Sequence, residues 1–136
     1  MTNTKTMLQL TSEGAMIILN AAVKKANAIG VPQCISVVDT GGHLLAFIRM
    51  DGAFVQSIIS SRRKAETAAI YGSPTGDIPE GIDIKLAIAT DGERINLPGG
   101  LPIIIDDQVV GGIGVGSGTG AEDLEVAKVG VAAVSI

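Results

Sequence analysis

The chain is short of several things that chemistry usually needs. Its 136 residues contain no tryptophan, and aromatic side chains make up 2% of them: Phe47, Phe54 and Tyr71. That leaves almost nothing on which nucleic-acid bases could stack. Fourteen acidic against ten basic side chains give a net charge of −4, and only Arg62-Arg63-Lys64 forms a basic cluster, so no nucleic-acid partner is expected. Cys34 is the only cysteine, which excludes an intramolecular disulfide, and its apolar setting predicts a buried, inert thiol. His43 is the only histidine, and no His/Cys/carboxylate set at ligand spacing accompanies it, so no metal site of one chain alone is expected. No serine stands in a recognisable nucleophile context beside Asp39 and His43. No apolar run approaches the roughly 20 residues that span a bilayer, and residues 1–9 lack an apolar core flanked by a cleavage site. A cytoplasmic protein with no membrane partner is therefore expected.

Apolar residues, by contrast, are plentiful. They reach 46% and the mean hydropathy is +0.44, high for a chain that forms one domain over residues 1–136. Surplus apolar surface on a small protomer is commonly buried against further copies, which predicts a homo-oligomer.

Periodicity orders the elements. Thr11 and Ser12 can cap a helix in which Ala15, Ile18, Leu19, Ala22, Ala26 and Ile29 recur at helical spacing, ending at Gly30 and Pro32. Two strands near residues 34–40 and 44–50 flank the Gly41-Gly42 turn as a hairpin. A second helix is expected over 53–71, closed by Gly72, and a short one over 83–89. A second hairpin joins strands at 101–105 and 109–115 through Asp106-Asp107-Gln108, and a last helix follows the loop Gly116-Ser117-Gly118-Thr119-Gly120. Two hairpins interleaved with helices predict an α/β (α+β) fold, an antiparallel sheet flanked by helices. Glycines within the last strand mark a bulge or a close approach of another chain or a ligand.

Candidate functional residues follow from charge and placement. Arg49 and Asp51 fall on one side of a strand end by the period-two rule, as a local ion pair or as an anchor for a carboxylate, which the arginine fork can bind through two oxygens. Lys64 lies one helical turn from Thr67, either on a solvated basic face or in a pocket as anion partner or base. His43 sits at the hairpin tip. The stretch Gly114-Val115-Gly116-Ser117-Gly118 before a helix has the look of a phosphate cradle, but it lacks the P-loop lysine, and Glu122 and Asp123 already place negative charge there.

Taken together, Ser36-Val37-Val38-Asp39, Gly41-Gly42-His43-Leu44, Arg49-Met50-Asp51-Gly52-Ala53, Lys64-Ala65 with Thr67-Ala68, Gly99-Gly100-Leu101-Pro102-Ile103 and Gly112-Ile113-Gly114-Val115 resemble the GlcG/HbpS family. That family includes the C-terminal domain of PduO-type proteins, and the resemblance runs in order along nearly the whole chain. It implies a profilin-like fold and homo-oligomers, often octamers. It further implies haem or a related tetrapyrrole as cofactor in some members and a place in catabolic operons for small hydroxy acids and diols in others. Two functions are thus carried forward. In the first, a small anionic ligand such as haem is bound by Arg49, Asp51, Lys64, Gly99, Gly100 and His43. In the second, a cofactor-independent lyase or isomerase acts on a hydroxy or keto acid with Lys64, Arg49 and Asp51 as the catalytic residues. The loop reads Gly-Val-Gly-Ser-Gly where the family's commoner pattern is Gly-Val-Ser-Gly-Gly.

Overall fold

The structure is a computed structural model describing residues 2–134. Its elements run α1 (Ser12–Ile29), β1 (Cys34–Asp39), β2 (Leu44–Arg49), α2 (Ser57–Tyr71), α3 (Ile82–Ala89), β3 (Gly100–Ile105), β4 (Gln108–Gly116) and α4 (Gly120–Ala132). The strands form one antiparallel sheet in the order β2-β1-β4-β3. The expected α+β class and element order are those observed.

Local chemistry accounts for the boundaries. The Thr11 side chain accepts from Gly14 N at the start of α1, and Gly30 closes the helix with a left-handed φ of 70°. Thr119 and Glu122 form a reciprocal capping box at α4. Asp106 and Asp107 both take positive φ, 50° and 61°, as the mirror-image turn of a two-residue hairpin requires. Helix α2 begins four residues later than the apolar pattern suggests. Gly52 turns at φ 93°, and turn bonds from Ala53 N to Met50 O and from Ser57 N to Phe54 O occupy the intervening residues.

The sheet has two unlike faces, and β4 shows why. Successive residues point to opposite sides. Ile113 and Val115 therefore join Ile35, Val37 and Ile103 in the large core beneath α1 and α4, where Ile18, Leu19, Ala22, Val126 and Ala127 are buried. Gly112, Gly114 and Gly116 face the other way, level with Val38, Ser36 and Cys34 of β1. Helix α2 lies on that glycine face with Ser57, Ser61, Lys64, Ala65, Ala68 and Ala69 buried. The approach is so close that a Cβ on Gly114 would collide with the Ser61 carbonyl oxygen, and one on Gly112 with that of Ala65. The buried Ser36 and Ser61 hydroxyls pair across the contact at 2.9 Å.

Because both opposing groups are backbone, neither can swing aside. Gly112→Val is expected to destabilise the fold by about 3 kcal/mol or more. Urea denaturation should show a lower midpoint for the variant, and an unchanged midpoint would contradict the close approach.

Candidate functional site

The position at which α2 meets the sheet end also fixes Lys64. Its Nζ is 3.0 Å from Asp123 Oδ2 and donates to Val115 O at 2.8 Å, with both side chains almost fully buried. The other carboxylate oxygen of Asp123 accepts from Gly118 N at 2.9 Å. With its amide nitrogen turned toward the acceptors, fully buried Gln33 donates to the same oxygen at 2.9 Å and to Gly116 O at 2.7 Å. Burial pushes the Asp123 carboxyl above its ordinary range, and Lys64 with these hydrogen bonds pulls against that rise without cancelling it.

Gly99 and Gly100 do converge on Lys64. A Cβ on Gly99 would stand 3.1 Å from Nζ, and its φ of 117° suits glycine alone. Thr75 secures the adjoining strand start, accepting from Gly100 N at 2.9 Å and donating to Leu97 O at 2.5 Å. The cluster is thus a closed polar knot that pins α2, β4, the 99–100 turn and α4 together. Lys64 is neither on a solvated face nor presented to a cavity.

The same contacts tell against a phosphate cradle, as Glu122 and Asp123 at the helix start already did in the sequence. Asp123 occupies the Gly118 N–H and Glu122 occupies the Thr119 N–H, so the chain's own carboxylates fill the place of an anion.

Arg49 and Asp51 part company. Arg49 pairs in register with Cys34, on the α2 side of the sheet, whereas Asp51 lies past the end of β2 and lines a cleft with Asn27, Pro32, Ile48 and Met50 against the end of α1. No ion pair joins them among the described residues. The period-two rule stops where the strand stops, at Arg49. Cys34 is fully buried, and burial raises its thiol pKa against the smaller opposing pulls of the Ser117 hydroxyl and Arg49, so it stays protonated.

His43 stands at the β1–β2 tip with 82% of its side chain exposed. Asp39 builds this tip. One carboxylate oxygen accepts from Gly41 N at 2.9 Å and His43 N at 3.0 Å, and it lies 3.2 Å from His43 Nδ1. Holding Nδ1 in this way leaves Nε2 directed to whatever approaches from solvent. Beside the imidazole, α2 and the segment after α3 contribute Arg62, Arg63, Glu66 and Arg94. The pairing of Arg62 and Arg63 with Glu66 was legible as i,i+4 and i,i+3 spacing. Nothing in the sequence announced Arg94, nor that Gln33 and Asp123 would surround Lys64, because these partners are distant in the chain.

A second cavity of 390 Å³ lies between α2, the 73–79 loop and α3, lined chiefly by Tyr71, Pro74, Ile78, Pro79, Ile82 and Leu86.

Comparison with known proteins agrees with this architecture. The family model described as "Haem degrading protein HbpS-like" matches residues 10–132. The chain belongs to the HbpS-like family. The protein GlcG of Escherichia coli is 35% identical over 112 residues, 82% of this chain and 84% of GlcG. The crystal structure of Klebsiella pneumoniae protein ORFY matches with a TM-score of 0.90 at 33% identity, covering 98% of this chain and 96% of that one. The crystal structure of a PduOC–haem complex matches with a TM-score of 0.86 at 25% identity, covering 93% and 96%.

Removing one partner of a buried ion pair strands the other. Asp123→Asn preserves shape but leaves the Lys64 ammonium uncompensated, and it is expected to cost about 3–5 kcal/mol of stability. Chemical denaturation would check this, and a loss below about 1 kcal/mol would show that the pair is solvated.

Proposed function

We propose that the protein is a homo-oligomeric haem-binding member of the HbpS-like family, with His43 as the residue offered to iron. The supporting observation is the near full-length structural similarity to the PduOC–haem complex. The chain's own residues fit such a group. The single imidazole has Nδ1 tied to Asp39 and Nε2 open, the arrangement in which a carboxylate orients a metal-ligating histidine. Arg62, Arg63 and Arg94 lie beside it as partners for the carboxylates of a tetrapyrrole, and exposed Leu44 and Ile70 supply apolar surface at the same end of the sheet. Bound haem would supply a redox-active iron; His43 would fix its position, and Asp39 would fix His43.

Among the originally weighed ligand residues, this reading retains His43 and moves the carboxylate contacts from Arg49 and Lys64 to the arginines beside it. The proton-transfer reading draws no support from Lys64, whose Nζ is held between a carboxylate and a carbonyl.

Titration with ferric haem should give a saturable Soret band of defined stoichiometry. His43→Ala should displace that band and weaken binding. A broad, non-saturating absorbance with the parent protein would overturn haem binding, whereas an unaltered band in the variant would overturn only the ligand assignment.

Self-association is supported by apolar surface that one chain leaves wet. Phe54 and Val55 just before α2 and Ile59 in its first turn are 62–65% exposed, and α3 buries none of its side chains while Ile82, Ile84 and Ile88 are 56–72% exposed. Light scattering at micromolar concentration is expected to give a multiple of 13.8 kDa, and the monomer mass would refute the assembly.

A further inference from the structure

The cavity inboard of His43 holds 210 Å³, and its lining is charged: Arg62, Arg63, Glu66, Glu93 and Arg94 beside the imidazole. Glu66 is the organising group. Its carboxylate is buried, with Arg62 Nε at 3.2 Å, Arg63 Nη1 at 3.0 Å and Arg94 Nη1 at 3.9 Å. Three guanidiniums thus share one buried carboxylate. Glu93 also lines the recess, at an exposed position where solvent screens its carboxylate, and Asp39 accepts from two backbone N–H groups beside His43, so Glu66 is the one buried carboxylate that the three guanidiniums face there.

The donor inventory exceeds what the chain uses. Arg62 engages through Nε, Arg63 through Nη1, and Arg94 through Nη1 to Glu93 O at 3.0 Å, while each guanidinium carries five N–H donors. Arg94 has only 15% of its side chain exposed and Arg63 29%, so water reaches these forks incompletely. Positive charge, surplus fork donors and partial desolvation together are what a small oxyanion requires.

We propose that this pocket binds a compact doubly charged oxyanion, a phosphate group or a small dicarboxylate, clamped by Arg62, Arg63 and Arg94 on the platform that Glu66 sets. The volume is below the range of pockets that enclose drug-sized ligands, which suits an ion of this size. These are the guanidiniums proposed above to meet the carboxylates of a tetrapyrrole; the small-anion site is assayed with no haem present, so its failure and that of haem binding are read separately.

Calorimetric titration of the full chain with inorganic phosphate, and separately with oxalate, at constant ionic strength set by chloride, is expected to show one saturable site per chain for at least one of them. A phosphate response with oxalate silent assigns a phosphoryl group, the reverse assigns a dicarboxylate, and a response to both assigns their shared geometry. Arg62→Gln, at a half-exposed position, and Arg94→Gln should each weaken binding at least tenfold, with an unchanged denaturation midpoint checking that each variant is folded. Lys24→Gln, an exposed cation on α1, should leave it unchanged. Absence of saturable binding by either anion, or equal affinity in Arg62→Gln and the parent, would overturn the proposal.

Discussion

The distance between α2 and β4 governs most of what this protein can be. Alternation along β4 puts Gly112, Gly114 and Gly116 on one face and Ile113 and Val115 on the other, so the strand is smooth toward α2 and bulky toward α1 and α4. A helix carrying Ser57, Ser61, Ala65, Ala68 and Ala69 can then approach until backbone meets backbone. Such a contact buries little apolar side-chain area. Its strength comes from close-packed van der Waals contact and the Ser36–Ser61 hydrogen bond, while the hydrophobic free energy is concentrated on the opposite face.

This closeness explains why a lysine can be buried here. With α2 drawn onto the sheet, Lys64 has no route to solvent and meets Val115 O and Asp123 instead. The desolvation of two charges is offset by hydrogen bonds from Gln33 and Gly118 as well as by the pair itself. The knot joins segments distant in the chain, so the arrangement favours one mutual placement of α2, the 99–100 turn and α4 over others. The resulting rigidity is a structural use of residues whose chemistry would equally have suited a base.

The residues proposed to bind a ligand consequently lie at the periphery. The hairpin tip carries an imidazole oriented by Asp39, and next to it the guanidiniums gathered by Glu66 form a positively charged recess in a chain of net negative charge. The apolar side chains of α3, of Phe54 and Val55 before α2 and of Ile59 on α2 also lie open.

Much of this was legible in the residues alone. Helical periodicity, the cap at Thr11, the Gly-Gly and Asp-Asp turns and the ordered motifs of the family determined the elements, the antiparallel class and the membership, because each depends on local backbone preference or on patterns within a few residues. Glu66 was missed, although its i,i+4 and i,i+3 spacing from Arg62 and Arg63 is a local signal of the same kind. Tertiary structure alone decided that the β4 glycines serve a helix and that Asp51 turns away from Arg49. It also decided that Lys64 is consumed by Asp123, 59 residues distant, and that Arg94 joins Arg62 and Arg63. Those outcomes depend on which segments the chain brings together, and whether a charged side chain is solvated, paired or free to bind is set by its neighbours in space.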